Sequence, residues 1–142
     1  MNYRRQKQAF KHDPENGVYG DCSRTVTACL LGIPRDMVPH VHKEESAQEF
    51  MAREDAYLAS KGLWRMCISL EGTMPIADVL YRGRILSRGH EYALVGKSKN
   101  GTNHIVICEQ DYIAWDPAID DSGIVGPTSE GYWWLEFIVR EI

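Results

Sequence analysis

The sequence has no long hydrophobic run and no segment typical of export. A membrane-spanning helix needs about 20 mostly apolar residues, and the longest compact apolar segment here, Ala28–Ile33, is far shorter. The first residues carry several charges, and no apolar stretch that would mark a signal peptide follows them. We therefore expect a protein of the cytoplasm with no membrane partner.

Cysteine is sparse, and its positions lack the spacing of a metal site. Cys22, Cys29, Cys67 and Cys108 form no Cys-x-x-Cys pair and no cysteine–histidine cluster of zinc type. The segment Asp120–Gly123 is typical of a turn rather than of a calcium loop. We therefore predict no metal, no cofactor and free thiols, with Cys29, Cys67 and Cys108 as core residues and Cys22 as a candidate nucleophile.

An excess of basic charge is also missing. The 142 residues include 16 Lys and Arg against 20 Asp and Glu, which gives a formal net charge of -4. This balance argues against a nucleic-acid partner, since such proteins need a basic face. With 44% hydrophobic and 25% charged residues, we expect one folded domain over residues 1–142, in which the polar residues 1–13 could form a flexible N-terminal segment. The oligomeric state is left open.

Turn signals and apolar periodicity predict helices followed by an antiparallel sheet, which is an α+β fold. Asp21 and Gly32 are typical start and stop residues for a central N-terminal helix. Asn100-Gly101 is a strong hairpin signal within a predicted meander. The first predicted helix starts at Asp21 or Cys22 and runs to Leu31, and the other two are Glu44–Lys61 and Ile76–Tyr81. The predicted strands are Leu63–Leu70, His90–Lys97, His104–Glu109, Tyr112–Asp116 and Trp133–Arg140.

Cys22 occupies the first turn of the predicted central helix. The unpaired N–H groups there carry partial positive charge, which favours the nucleophilic thiolate. The same N–H groups can stabilise an oxyanion when a carbonyl is attacked. The alternative is that Cys22 is a small buried hydrophobe, as most free cysteines are.

His104 and Asp116 complete a candidate catalytic set with Cys22. His104 opens an apolar strand, where a rigid backbone could hold an imidazole beside a thiolate. Asp116 ends the next strand, and adjacent antiparallel strands joined by a short turn bring such ends together. An acid there can accept a histidine N–H and fix the ring's tautomer. The alternatives are a solvated strand end for His104 and an Asp-Pro turn for Asp116.

Three short motifs resemble a small papain-like cysteine peptidase, closest to the bacteriocin-processing, double-glycine peptidase branch. They are Gly20-Asp21-Cys22-Ser23-Arg24-Thr25 with the helix after it, Asn103-His104-Ile105-Val106, and Trp115-Asp116-Pro117. Similar small proteins occur in phages and bacteria. The resemblance implies a papain-like α+β fold in which the helix carrying the cysteine packs on an antiparallel sheet. It also implies that Cys22 attacks an amide, His104 moves the proton and Asp116 orients His104.

The resemblance extends to an oxyanion-binding group, with one departure. In that branch a glutamine six residues before the cysteine donates to the oxyanion, and here that position is Asn16, which is one methylene shorter. An asparagine amide can still donate a hydrogen bond. Together with Asn16, we predict Asp21 and Ser23, on either side of Cys22, as oxyanion- or substrate-binding residues.

Two classes of function remain open at this point. The first is a cysteine peptidase or amidase that cleaves a peptide, isopeptide or related amide of a peptide or protein substrate. The second is a catalytically silent binding module of the same fold, for example a phage protein that captures a host factor, and the Asn16 departure motivates it. A thiol acyltransferase would use the same cysteine with a different acceptor.

Overall fold

The computed structural model describes residues 2–141, and within them three helices accompany one five-stranded sheet. This is the α+β fold predicted from the sequence. No helix in this part of the chain is both long and apolar enough to cross a membrane. The helices are α1 (Cys22–Leu31), α2 (Ala47–Ala59) and α3 (Ile76–Ser87), and the strands are β1 (Leu63–Glu71), β2 (Tyr92–Lys97), β3 (Asn103–Glu109), β4 (Tyr112–Trp115) and β5 (Tyr132–Arg140).

The strands pair antiparallel in the order β1-β5-β2-β3-β4. β2, β3 and β4 follow one another as the predicted meander, but β5 returns to an inner position of the sheet, between β1 and β2, and pairs with both. Its inward residues Trp133, Leu135 and Phe137 are buried. An inner position suits such an apolar strand, because β1 and β2 then satisfy the backbone hydrogen bonds on both of its edges. An outer position would leave one edge unpaired.

Helices cover both faces of the sheet, and neighbouring residues of β2 therefore point into two different cores. α1 packs on β3, so the helix that carries Cys22 lies against the strand that carries His104. The core on the α3 side includes Val79, Leu80, Tyr92, Leu94, Val106, Cys108, Trp133, Leu135 and Phe137. The core on the α1 side consists of Val26, Cys29, Ala93, Ile105 and Ile107.

The helix boundaries confirm the sequence analysis most closely at α1. The helix begins at Cys22 and ends before Gly32, whose φ of 71° is left-handed and whose N–H bonds the last turn. α2 begins later than predicted, because Ser46 and Glu49 form a capping box that sets the first turn. α3 runs six residues beyond the predicted Tyr81 to Ser87.

The prediction that three cysteines lie in the core is confirmed for Cys29 and Cys108, which are buried, and is wrong for Cys67, which is exposed. β1 lies at the edge of the sheet. Charged side chains of Glu54, Arg65 and Glu136 surround a cavity that Cys67 also lines. The apolar pattern of β1 therefore does not bury this thiol.

Substitution of Gly83 tests how closely α3 packs against the Tyr92 ring. A Cβ built there would lie 2.4 Å from ring carbons of Tyr92, which is fully buried and donates to the Gln110 carbonyl at 2.6 Å. In an open helix, Gly→Ala stabilises by about 1 kcal/mol. Here we expect Gly83→Ala to lower the free energy of unfolding by roughly 1–3 kcal/mol, because overpacking displaces the ring. Urea denaturation measures this.

The exposed neighbour provides the control for this substitution. Arg82→Ala changes the same helix without entering the core, and its effect should stay within about 0.5 kcal/mol. An unchanged or higher stability of Gly83→Ala would contradict the close approach of α3 to Tyr92.

Candidate active site

His104, which is buried, and Asp116, which is partly buried, form a hydrogen-bonded pair. His104 is the second residue of β3 and Asp116 directly follows β4, so the β3–β4 hairpin brings both to the same end of the sheet. The His104 Nε2 and Asp116 Oδ1 atoms are 2.7 Å apart, and His104 is only 6% exposed. The Asp116 carboxylate also accepts the N–H of Ala118 at 2.9 Å and the N–H of Gly123 at 2.7 Å. All these donors hold the carboxylate in one orientation.

Cys22 lies on the other side of the imidazole. It is the first residue of α1, its side chain is half-buried, and it lies close enough to the His104 side chain to raise the pKa of that imidazole. Since Asp116 engages Nε2, Nδ1 is the ring atom left for the sulfur. The structure thus brings Cys22, His104 and Asp116 together at one site.

The pair of charges beside the thiol is stable near neutral pH. Burial alone would lower the pKa of His104, but the hydrogen bond to Asp116 and the contact with Cys22 outweigh it and raise the pKa to about 9. Burial likewise opposes ionisation of Asp116, yet the His104 and backbone hydrogen bonds keep its pKa below the usual value. His104 is therefore an imidazolium facing a carboxylate at pH 7.

The other three thiols lie in surroundings that favour the protonated form. Burial raises the pKa of Cys29, and it raises that of Cys108 to about 12. Partial desolvation and the nearby Glu136 carboxylate raise the pKa of Cys67 to about 11. Cys22 is thus the thiol that sits beside a cation at a helix start, which are the surroundings that activate a cysteine.

Asp21 holds the N-terminal segment in place. It is 1% exposed, and its carboxylate accepts the N–H groups of Ala9 at 3.1 Å and Phe10 at 3.0 Å. Although Asp21 occupies the N-cap position of α1, its side chain makes no capping hydrogen bond. The first N–H groups of α1 are therefore free of a side-chain cap, which is the condition for binding an oxyanion there.

Asn16 and Ser23 have other partners in this structure. Asn16 ends a short 3-10 turn, is exposed, and donates its side-chain amide to Asp13 Oδ2 at 2.7 Å. Ser23 Oγ donates to Glu54 Oε2 at 3.4 Å, toward α2. Their roles in binding an oxyanion or a substrate stay predictions.

The sequence analysis missed the contribution of the N-terminal residues to this site. Trp115 Nε1 donates to the Gln6 carbonyl at 2.9 Å, and the Gln8 N–H donates to the Pro117 carbonyl at 2.8 Å. These bonds join residues 6–8 to the chain on both sides of Asp116. No pattern in the sequence marks them, because the acceptors and one of the donors are backbone groups.

A cavity of about 210 Å³ opens beside His104. Most of its lining residues carry polar or charged groups, but its wall is about as apolar as it is polar, so it suits a group of mixed character. Its lining includes Gln8, Lys11, His12, Ser98, Asn100, Thr102, Asn103, Ala118, Ile119, Asp120 and Ser122. Within residues 2–141, no group of three or more metal-binding side chains is found.

Comparison of the chain with protein-family models, with curated proteins and with solved structures gives no match in any of the three.

The His104–Asp116 pair predicts a measurable histidine titration. Asp116→Asn removes the carboxylate charge, so we expect the pKa of His104 to fall from about 9 toward the ordinary value of about 6.5. NMR titration of the imidazole measures it. Asp111→Asn, an exposed acid on the β3–β4 turn, is the matched control and should leave the His104 pKa unchanged. A His104 pKa of about 6.5 in the unmodified protein would contradict the pairing.

The same pair makes stability depend on pH in a defined window. Because folding raises the His104 pKa from 6.5 to about 9, its stabilisation is complete below the unfolded value of about 6.5 and is lost as pH rises through the folded value. The difference in unfolding free energy between the unmodified protein and Asp116→Asn should therefore shrink by up to ~3 kcal/mol between neutral pH and pH values above the folded pKa. Urea denaturation across that range measures it, and a constant difference would argue against the pair.

Proposed function

We propose that this protein is a papain-like cysteine peptidase or amidase, with Cys22 as nucleophile, His104 as general acid and base, and Asp116 as the residue that orients His104. The observation that carries the proposal is the 2.7 Å hydrogen bond between His104 and Asp116, with the Cys22 thiol beside the same imidazole. The papain-like identity of the fold belongs to the same proposal. Its support is a helix that begins at the cysteine and packs on the antiparallel strand holding the histidine.

The acylation step uses each of the three groups. The Cys22 thiolate attacks the carbonyl carbon of a substrate amide, which forms a C–S bond and moves an electron pair onto the carbonyl oxygen. The His104 imidazolium then donates its proton to the leaving nitrogen, the C–N bond breaks, and a thioester to Cys22 remains. Asp116 holds the ring in one tautomer and stabilises its charged form.

Deacylation returns the site to its starting state. Neutral His104 takes a proton from water, the resulting oxygen nucleophile attacks the thioester carbonyl, and the C–S bond breaks. The carboxylic acid product leaves, and the thiolate–imidazolium pair forms again. Atoms and charge balance with water as the only co-reactant.

The start of α1 is the place where the oxyanion would bind. The backbone N–H of Cys22 belongs to the first turn, where N–H groups lack intrahelical acceptors. The Asp21 side chain does not cap them, and the helix dipole adds a favourable field. We propose the Cys22 N–H as the principal oxyanion donor.

The substrate class is a peptide, an isopeptide or a related amide of a peptide or protein partner. The cavity beside His104 suits a portion of such a substrate that carries both polar and apolar groups. Neither step of the reaction calls on a cofactor. Action in the cytoplasm is part of the proposal.

One observation favours the catalytically silent binding module as a second candidate. The Asn16 amide, which should supply a second oxyanion donor, is exposed and bonded to Asp13. A binding module would keep the fold and the His104–Asp116 pair while its thiol reacted no faster than an ordinary one. An acyltransferase differs from the hydrolase only in replacing water by another acceptor.

Thiol reactivity separates these candidates. In the unmodified protein, iodoacetamide at mildly acid pH should modify Cys22 first, because it alone has an imidazolium partner while the pKa values of Cys29, Cys67 and Cys108 are raised. Cys22→Ala should abolish this fast labelling and leave the circular dichroism spectrum unchanged. Intact-mass and peptide mass spectrometry measure the rate and the position.

Cys67→Ala is the matched control, since Cys67 is the exposed thiol among the other three. It should leave the fast labelling intact. Equal rates at Cys22 and Cys67 in the unmodified protein would contradict the enzymatic proposal and favour the binding module.

A further inference from the structure

The three consecutive backbone carbonyls that begin at Asp116 are all held by two residues of the N-terminal segment. Lys7 Nζ donates to the carbonyl oxygens of Asp116 and Ala118, each at 2.9 Å. Between them, the Pro117 carbonyl accepts the Gln8 N–H at 2.8 Å. The chain that leaves the candidate catalytic acid is therefore fixed at every residue by a segment about a hundred positions away.

Each N–H of the Lys7 ammonium group has a hydrogen-bond acceptor. Its three N–H donors have three oxygen acceptors, namely the carbonyls of Asp116 and Ala118 and the carboxylate of Asp121. The ammonium also lies 4.9 Å from the centroid of the Trp115 ring, in cation–π geometry. Such a set of partners leaves the lysine head little freedom to move.

The backbone around Lys7 is tied to the body of the domain. Arg35 Nη1 donates to the Lys7 carbonyl at 2.7 Å, and the Gln6 side-chain amide donates to the Ile33 carbonyl at 2.7 Å. Both partners follow α1, the helix that begins at Cys22. Lys7 thus joins the α1 side of the molecule to the loop that carries Asp116.

The loop beyond Asp116 in turn supplies two donors to its carboxylate. The N–H groups of Ala118 and Gly123 bond the two carboxylate oxygens, so any shift of residues 116–123 alters the direction of the carboxylate toward His104. Lys7 holds two carbonyls and one side chain of this loop, at residues 116, 118 and 121.

We propose that Lys7 is a positioning residue of this site, which acts through Asp116 by fixing the loop that aims its carboxylate at His104. The proposal rests on the assignment of His104 and Asp116 to the proposed active site. It adds an N-terminal lysine to that site, and it makes residues 6–8 part of the functional domain.

The sign of a pKa change tests the proposal. Lys7→Met removes a cation from the loop that carries Asp116, and loss of a positive charge alone would raise rather than lower the His104 pKa. Loss of positioning weakens the His104–Asp116 bond and lowers it. We expect NMR titration of the folded variant to give a His104 pKa lower by about one unit, and iodoacetamide alkylation of Cys22 to slow by about tenfold.

Lys11→Met is the matched control. Lys11 pairs with Asp120 of the same loop at 3.0 Å but is largely exposed, and its removal deletes the same charge without touching the carbonyls of residues 116–118. Because it removes a charge and breaks none of these bonds, it should not lower the His104 pKa and should not slow the alkylation of Cys22. If Lys7→Met does not fold, Lys7→Arg replaces it as the test. A planar guanidinium cannot direct three donors at these converging oxygens. The pKa of His104 in Lys7→Arg should therefore also fall.

A His104 pKa that is unchanged or higher in the folded Lys7 variants would overturn the positioning role. This outcome is distinct from failure of the proposed function. If the pKa falls while Cys22 of the unmodified protein reacts no faster than Cys67, the enzyme proposal fails and Lys7 still positions Asp116. If Cys22 reacts selectively and the pKa does not move, only the role of Lys7 fails.

Discussion

The hydrogen bond between His104 and Asp116 is the interaction on which the site depends. It joins two groups that burial would leave uncharged when separate, and it lets both ionise because each supplies the opposite charge to the other. Backbone N–H groups at Ala118 and Gly123 complete the shell of the carboxylate. A partly buried ion pair whose hydrogen bonds are made can persist, whereas leaving either charge there without its partner would be costly. The Cys22 thiol lies beside the imidazole of this pair.

The fold explains how three residues far apart in sequence meet. A short hairpin places His104 and Asp116 at one end of the sheet, and α1 packs across the same strand so that its first residue reaches the ring. Asp21, immediately before Cys22, is turned away from the helix and toward the backbone of residues 9 and 10. One acid thus anchors the N-terminal segment, and the helix start keeps its N–H groups uncapped beside the thiol.

The sequence predicts those parts of the molecule that follow from local signals. Asp21 and Gly32 bound α1, and the Asn100-Gly101 turn with the following apolar strand locates His104 and Asp116 at strand ends. The inner position of β5, between β1 and β2, does not follow from its own residues. Which strands pair depends on the edges that all the other strands of the sheet leave available. The exposure of Cys67 was missed because ion pairs replace apolar contacts on that side of β1. The contacts of Asp21 with residues 9 and 10 and of Lys7 with residues 116 and 118 were missed, since these partners are backbone groups, which leave no residue signature.

The central claim is the proposal that the His104 imidazolium stabilises the thiolate of Cys22 as the nucleophile. Its most direct test is the ultraviolet thiolate absorbance of the folded protein at about pH 6, where an ordinary thiol is protonated, compared among the unmodified protein, Cys22→Ala and His104→Gln. The account predicts a thiolate band in the unmodified protein that is lost in both variants. Absence of the band from the unmodified protein, or its survival in either variant, would contradict the account.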